Sequence, residues 1–233
     1  MRSTSRRSVA RPIRPSCPAR RPRRAPGEGY RGRMSGYAAV VLTGGAARRL
    51  GGVDKPGLPI GGRPMRDRVL AAVADATPRI VVGPDTTPVP ADVRLTREEP
   101  AGGGPVAAVA AGLALLPPGT TTVALLAGDL PLLTAAAVGE LRRALAADPG
   151  ADGVCHVDPD GRRQSLCGLW RSVPLRAAVD RLTAERGGLT GASVRALLAG
   201  LTVAELRWSG EGPPPWFDCD TDDDVRRAEE WTR

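Results

Sequence analysis

Two rhythms of apolar and polar positions alternate along residues 37–147. Short contiguous apolar runs recur at Tyr37–Thr43 (YAAVVLT), Arg79–Val82 and Thr121–Ala127 (TTVALLA), with a weaker one at Asp92–Thr96. Runs this short, rich in Val and Leu and bounded by Gly or Pro, predict strands buried on both faces. Between them the apolar positions take helical spacing. Met65, Val69, Ala72 and Val73 share a face within Pro64–Ala76, Pro105–Leu116 is Ala-rich and stopped by Pro117, and Ala135–Ala147 brings Val138, Leu141 and Leu145 together. Strands alternating with helices predict an α/β fold whose mostly parallel sheet is covered on both sides.

After Pro149 the alternation weakens. Gly153–Val157 and Gln164–Trp170 read as paired strands joined by the turn Asp158–Gly161 (DPDG). Helices are expected near Pro174–Ala184 and Ala192–Ala199 and a strand at Thr202–Trp208. Beyond the stiff Pro213–Pro215 run, Trp216–Cys219 is expected as a strand and Asp222–Trp231 as a helix.

Composition changes this picture at one end only. Residues 1–33 hold eleven Arg, five Pro and a single acid, Glu28, whereas residues 34–233 carry 22 basic and 24 acidic groups. The net charge of +8 therefore belongs to the amino-terminal extension and gives the folded part no reason to bind nucleic acid. Such an extension cannot bury enough apolar surface to order itself. We expect it to be disordered and Met34 to be the functional start, with a nucleotide-binding half at about 37–148 and an acceptor-binding half at about 149–233. No apolar run reaches membrane-spanning length, and the four cysteines, Cys17, Cys155, Cys167 and Cys219, show no C-x-x-C spacing. Reduced thiols in a cytoplasmic protein are expected. Cys155 and Cys167 fall where adjacent strands can juxtapose them. His156, the only histidine, is expected to be structural.

The chemistry is concentrated in four stretches. At Leu42-Thr43-Gly44-Gly45-Ala46-Ala47-Arg48-Arg49-Leu50-Gly51-Gly52-Val53-Asp54-Lys55 a buried strand runs into four glycines, two arginines and a lysine. Glycines allow successive amides to converge on phosphate oxygens, and the cations neutralise phosphate charge. Lys55 is the sole lysine beside 32 arginines, which suggests a need for a compact ammonium. Asp129 follows the carboxyl end of the Thr121–Ala127 strand, where a carboxylate can hold Mg²⁺ on a triphosphate. Thr134 is the better cap for the helix that follows. Asp218 and Asp220 precede an acidic helical turn capped by Thr221 or Asp220, and one or both are candidates to join Asp129 on the metal. Glu98 and Glu99, before the glycine run Gly102–Gly104, are candidate acceptors of hydrogen bonds from a base or ribose.

The run LTGGAARRLGGVDK resembles the signature L-A-G-G-x-x-x-R-M-G-G-x-D-K of molybdenum cofactor guanylyltransferases. Gly104–Ala107 is similar to that family's G-P-L-A/G segment, Gly128–Pro131 to its D-x-P segment, and Phe217–Thr221 to its closing N-x-N-T, all in order from Tyr37 to Trp231. The resemblance implies a three-layer, Rossmann-like nucleotidyltransferase fold. It implies transfer of GMP from GTP to molybdopterin with release of pyrophosphate, Mg²⁺ as cofactor, and molybdoenzymes or their chaperones as recipients of the product. By this resemblance Leu42, Gly44, Gly45, Lys55 and Glu99 contact the nucleotide, Asp129 binds the metal and nucleotide, and Arg48 or Arg49 lies by the phosphates; Arg48, Lys55 and Asp129 are the catalytic candidates, Thr43 is a further nucleotide contact, and Asp220 is the candidate second metal ligand. Arg162, Arg163 and Gln164 are the candidates for the acceptor. The pair Gly44-Gly45 resembles the guanylyl-transferring members, whereas cytidylyl-transferring relatives read A-A-G. Thr43 stands where Ala is usual, Gly83 where some members have a nucleotide-contacting Asn, and Asp218 and Asp220 where the family has Asn. Alternatives are a related transferase using CTP or a sugar phosphate, and a nucleic-acid-binding protein acting through its basic tail.

Overall fold

The computed structural model describes residues 36–44, 55–85, 87–208, 210 and 212–233. Its strands are β1 (Ala38–Leu42), β2 (Pro59–Ile60), β3 (Arg63–Pro64), β4 (Arg79–Val82), β5 (Val93–Thr96), β6 (Thr122–Ala127), β7 (Gly153–Val157), β8 (Arg163–Arg171) and β9 (Val203–Arg207). The helices are α1 (Met65–Ala72), α2 (Pro105–Ala114), α3 (Ala135–Ala147), α4 (Ser172–Arg186), α5 (Val194–Leu198) and α6 (Asp222–Trp231), with a 3-10 turn at Lys55–Gly57. Seven strands form one sheet in the order β5-β4-β1-β6-β8-β7-β9. Six run the same way, and β8 is antiparallel to both its neighbours, β6 and β7.

The three layers follow from strand periodicity. Along β1, Ala39 and Val41 face one side with Val69, Leu70, Val138 and Leu141 of α1 and α3. Ala38, Val40 and Leu42 face the other, with Val106, Val109 and Leu113 of α2 and Leu175 and Leu182 of α4. Both faces of β1 are buried, which is why it reads as a continuous apolar run rather than an alternating one. Close packing of α2 on the sheet depends on Gly112, where a Cβ would stand 2.4 Å from Val40 Cγ1.

The elements of residues 37–147 agree with the expectations to within a few residues at each end, and β4 and α3 span the predicted residues. Two differences stand out. Pro59–Pro64 folds as a tiny antiparallel hairpin, β2–β3, so α1 starts at Met65 rather than Pro64. Trp216–Cys219 pairs with no strand. Cys155 and Cys167 lie on adjacent strands but on opposite faces, Cys155 with the α2–α4 side and Cys167 with the α1–α3 side. Both are free, as is Cys219. Burial raises their thiols to about 11 for Cys155 and about 12 for Cys167 and Cys219, which leaves them unreactive. Among the described residues no helix is long and apolar enough to cross a membrane. The amino-terminal extension and its expected disorder lie outside the described residues.

Candidate active site

Strand order sets the location. From β1 the chain builds β4 and β5 on one side, then crosses to β6 on the other. The carboxyl ends of β1 and β6 therefore flank the point where the order reverses, and in open α/β sheets that crevice is where ligands bind. Leu42, the last residue of β1, pairs in register with Ala127, the last of β6. Gly44 and Asp129 each stand two residues further on, at the mouth of this crevice.

The ends of both strands are locked in place. The Leu42 carbonyl accepts from Gly128 N at 2.8 Å, and Thr43 N donates to the Val82 carbonyl at 2.8 Å. Gly128 has no room for a side chain, because a Cβ would meet Thr43 Cγ2 at 2.8 Å and the Leu42 carbonyl at 3.1 Å. Leu42 and Thr43 are buried and Gly44 is the first exposed residue. Gly45 and Arg48 lie outside the described residues.

At the far end of the glycine-rich stretch the Lys55 ammonium stands 2.6 Å from Asp129 Oδ2 and 2.6 Å from Asp220 Oδ1. Three segments distant in sequence thus converge on one cation. Desolvation works against the charge on Lys55, but the hydrogen bonds and charges of Asp129 and Asp220 outweigh it and raise its pKa. The ammonium stays protonated. Asp129 is not spent on capping α3, because Thr134 does that, its Oγ1 accepting from Ala137 N. Nor is Asp220 spent on α6, which Thr221 caps in a reciprocal capping box with Asp224. Asp218 is exposed as a residue, yet loss of hydration around its carboxyl, then the charges of Asp220 and Asp129, raise its pKa, with Lys55 opposing.

Among the described residues no group of three carboxylate, imidazole or thiolate side chains is arranged to enclose a metal ion. Two carboxylates, Asp129 and Asp220, do share one focus. Hard oxygen donors of that number suit Mg²⁺, which takes one or two carboxylates and completes its shell with phosphate oxygens and water.

The two adjacent glutamates are separated by the structure. Glu99 is exposed. Glu98 is buried, and both its carboxylate oxygens stand 3.7 Å from where a Cβ on Gly44 would be. Its Oε1 accepts from Gly102 N at 3.0 Å. The buried carboxylate facing Gly44 is Glu98, one residue before the position the family resemblance singles out. Periodicity carries no such distinction, because β5 ends at Thr96 and the chain beyond it is irregular.

Gly83 and Thr43 are coupled. A Cβ at Gly83 would lie 2.0 Å from Thr43 Oγ1, which itself reaches the Val82 carbonyl at 3.2 Å. The hydroxyl occupies the space that a side chain at position 83 would need, so the two departures from the family pattern explain each other sterically. Gly83→Ala is expected to destabilise the fold by about 1–3 kcal/mol through overpacking. Most of that loss should return when Thr43→Ala is added, with the remaining 3.3 Å approach to Thr43 Cβ absorbed by small shifts. Denaturant titration of the four chains tests the coupling, and an equal loss in both backgrounds would refute it.

Arg162, Arg163 and Gln164 occupy the hairpin between β7 and β8. Because β8 is reversed, this hairpin rises at the same edge as the carboxyl ends of β1 and β6. All three residues have internal partners. Arg162 N and Gln164 Nε2 donate to Asp158, and Arg163 pairs with Glu205 of β9 at 2.8 Å.

The molecule's relatives place it as a nucleotidyltransferase. The chain belongs to the MobA-like NTP transferase domain family, whose profile matches residues 39–204. It is 29% identical over 206 residues to a molybdenum cofactor guanylyltransferase of Bradyrhizobium sp. (strain ORS 278), covering 82% of this chain and 90% of that one. A protein of the same name from Rhodopseudomonas palustris (strain BisB5) is 31% identical over 201 residues, covering 82% and 91%. In fold the chain is similar to molybdopterin-guanine dinucleotide biosynthesis protein A of Archaeoglobus fulgidus, with a TM-score of 0.61 at 19% identity and coverage of 83% and 97%. It is equally similar to 2-C-methyl-D-erythritol 4-phosphate cytidylyltransferase of Thermus thermophilus, with 0.62 at 18% and coverage of 84% and 98%.

Proposed function

We propose that this protein transfers GMP from GTP to the terminal phosphate of molybdopterin and releases pyrophosphate. The observation that carries the reading is the Lys55–Asp129–Asp220 convergence at the switch point, in a chain whose relatives bear the guanylyltransferase name. The acceptor phosphate attacks the α-phosphorus of GTP in line and the pyrophosphate departs. No covalent intermediate on the protein is needed. Charge grows on the α-phosphate and on the leaving group, so the task of the chain is positioning and electrostatic stabilisation.

The glycine-rich stretch after Leu42 supplies amides to the triphosphate, and Lys55 supplies a positive charge that Asp129 and Asp220 maintain against the opposing effect of burial. Asp129, with Asp220, would hold Mg²⁺, whose chemistry there is neutralisation of phosphate charge. Lys55 leaves its carboxylates for phosphate oxygens as the nucleotide arrives, and its protonated state suits it to that exchange. Glu98 faces Gly44 with a carboxylate that accepts only. Guanine offers two adjacent donors, N1–H and the 2-amino group, and neither adenine nor cytosine presents that pair. The reading therefore gives base recognition to Glu98 rather than Glu99.

The test is pyrophosphate release from GTP, CTP and ATP, each with molybdopterin and with a sugar phosphate, in the presence of Mg²⁺. GTP with molybdopterin should exceed every other combination by about 100-fold or more. A preference for CTP, or for the sugar phosphate, would overturn the assignment of substrates while leaving the class of enzyme intact.

A further inference from the structure

The chain is poor in aromatic residues and spends them unevenly. Four tryptophans, two tyrosines, one phenylalanine and one histidine occur in all, and two of the tryptophans meet the histidine at a single place. The His156 ring centroid is 5.2 Å from that of Trp216, tilted by 35°, and 5.9 Å from that of Trp208, nearly edge-on at 86°. His156 is fully buried and the two indoles are half-buried. Among the described residues, both ring nitrogens of His156 and the indole nitrogen of Trp208 are buried without a hydrogen-bond partner of good geometry. Buried polar atoms are nearly always paired, so a buried imidazole whose contact with the Leu206 carbonyl falls short of a well-formed hydrogen bond, beside a buried indole N–H, leaves hydrogen-bonding capacity in this cluster. Burial lowers the His156 pKa, with the Leu206 carbonyl drawing it partly back. The ring is neutral and presents one N–H and one lone pair.

The cluster stands at the edge of the sheet that carries the site. His156 is the penultimate residue of β7, and Trp208 follows the last residue of β9. Both strands point the same way as β1 and β6. Trp216 is four residues before Asp220, the partner of Lys55, so at most roughly 14 Å of extended chain separates them.

We propose that this cluster is the acceptor's ring site: a flat, nitrogen-rich heterocycle of the pterin class stacks on Trp216 and turns its hydrogen-bonding edge to His156 and to the indole N–H of Trp208. The inference rests on molybdopterin being the acceptor, and it deepens that reading by naming the side chains that hold the ring. It also moves the ring away from Arg163 and Gln164, whose side chains are engaged with Glu205 and Asp158, and from Arg162, whose backbone N–H is held by Asp158. A pterin edge carries donors and acceptors side by side, matching a neutral imidazole and an indole N–H. Its flat face gains from stacking on an indole as any heteroaromatic base does. Trp216 covers His156 and sits outside any helix or strand. Entry of the ring lifts that indole and exchanges one stacking partner for another.

Two measurements on the full chain decide the matter. The first titrates Trp emission with a phosphorylated 6-alkylpterin, and the second measures KM for molybdopterin and for GTP in Trp216→Leu and His156→Phe. Because Trp216 also packs on the core, Trp216→Phe serves as the variant that keeps an aromatic ring on His156. The expected result is saturable quenching in the unaltered protein that is lost or strongly weakened in His156→Phe, which keeps all four tryptophans. The acceptor KM should rise about tenfold or more in Trp216→Leu and His156→Phe, with the GTP KM unchanged within about twofold. Trp216→Phe should lie between. The proposal is overturned if either Trp216→Leu or His156→Phe keeps the unaltered acceptor KM and pterin affinity, or if the GTP KM rises by the same factor. Should the unaltered enzyme not use molybdopterin at all, the functional reading fails. The ring site is then judged by the quenching titration, where absence of binding overturns it and binding lost in His156→Phe upholds it.

Discussion

Asp129→Asn is expected to lower the rate of pyrophosphate release from GTP by about a thousandfold, the scale set by removing a group that stabilises charge in a transition state. Asp129 is the carboxylate at the end of β6, held by a strand buried in the centre of the sheet. Lys55→Ala should cost a similar factor, and Lys55→Arg should recover little of it, since a planar guanidinium cannot occupy a gap closed by carboxylates 2.6 Å away on either side. Asp220→Asn should cost less, because that side chain is 51% exposed and hangs from an irregular segment. Neither Asp129→Asn nor Lys55→Ala touches the buried core, so melting should remain cooperative. If either variant turns over substrate within about tenfold of the unaltered enzyme, the convergence is a surface ion pair and the site lies elsewhere.

Glu98→Gln is expected to lower kcat/KM for GTP by about 100-fold while barely changing it for CTP or ATP. The amide replaces one acceptor by a donor, which opposes a guanine donor, and buried polar groups left facing like with like are costly. The amide oxygen can still accept from Gly102 N, so the loop keeps its hydrogen bond. Glu99→Gln is the control. Glu99 is exposed, and its replacement should change the rate by no more than about twofold. Steady-state rates with the three nucleotides separate the outcomes. A larger effect at Glu99 than at Glu98 would show that the loop re-forms around the nucleotide with the other carboxylate inside.

Much of the fold was legible because its strands and helices are long enough to display a period. β1 is apolar throughout and β6 is so after Thr122, and α3 repeats Val138, Leu141 and Leu145 at helical spacing. The β2–β3 hairpin was not legible, since two-residue strands have no period to read. Trp216–Cys219 is apolar enough to suggest a strand but forms none among the described residues. Trp216 goes to His156, Phe217 to Trp231 at 5.1 Å, and Cys219 to Ile60 and Met65. Three destinations on three elements leave no common ladder. In the candidate site, Lys55 and Asp129 were visible from the residues around them. Asp220 was expected only as one option to join Asp129 on a metal, and its contact with Lys55 was not foreseen, since 165 residues of chain separate the two. The choice between Glu98 and Glu99 depended on a bend that no propensity encodes.

The reversed strand β8 has a consequence for how such an enzyme can diversify. Five residue pairs hold β8 to β6, from Thr122–Arg171 to Leu126–Cys167, so the position of Asp129 is insulated from whatever happens at the tip of the β7–β8 hairpin. That tip can lengthen, shorten or change sequence by local edits, because an antiparallel connection needs only a few residues where a parallel one would need a full crossover. The outer part of the sheet can therefore be remodelled at that tip without displacing the carboxyl end of β6.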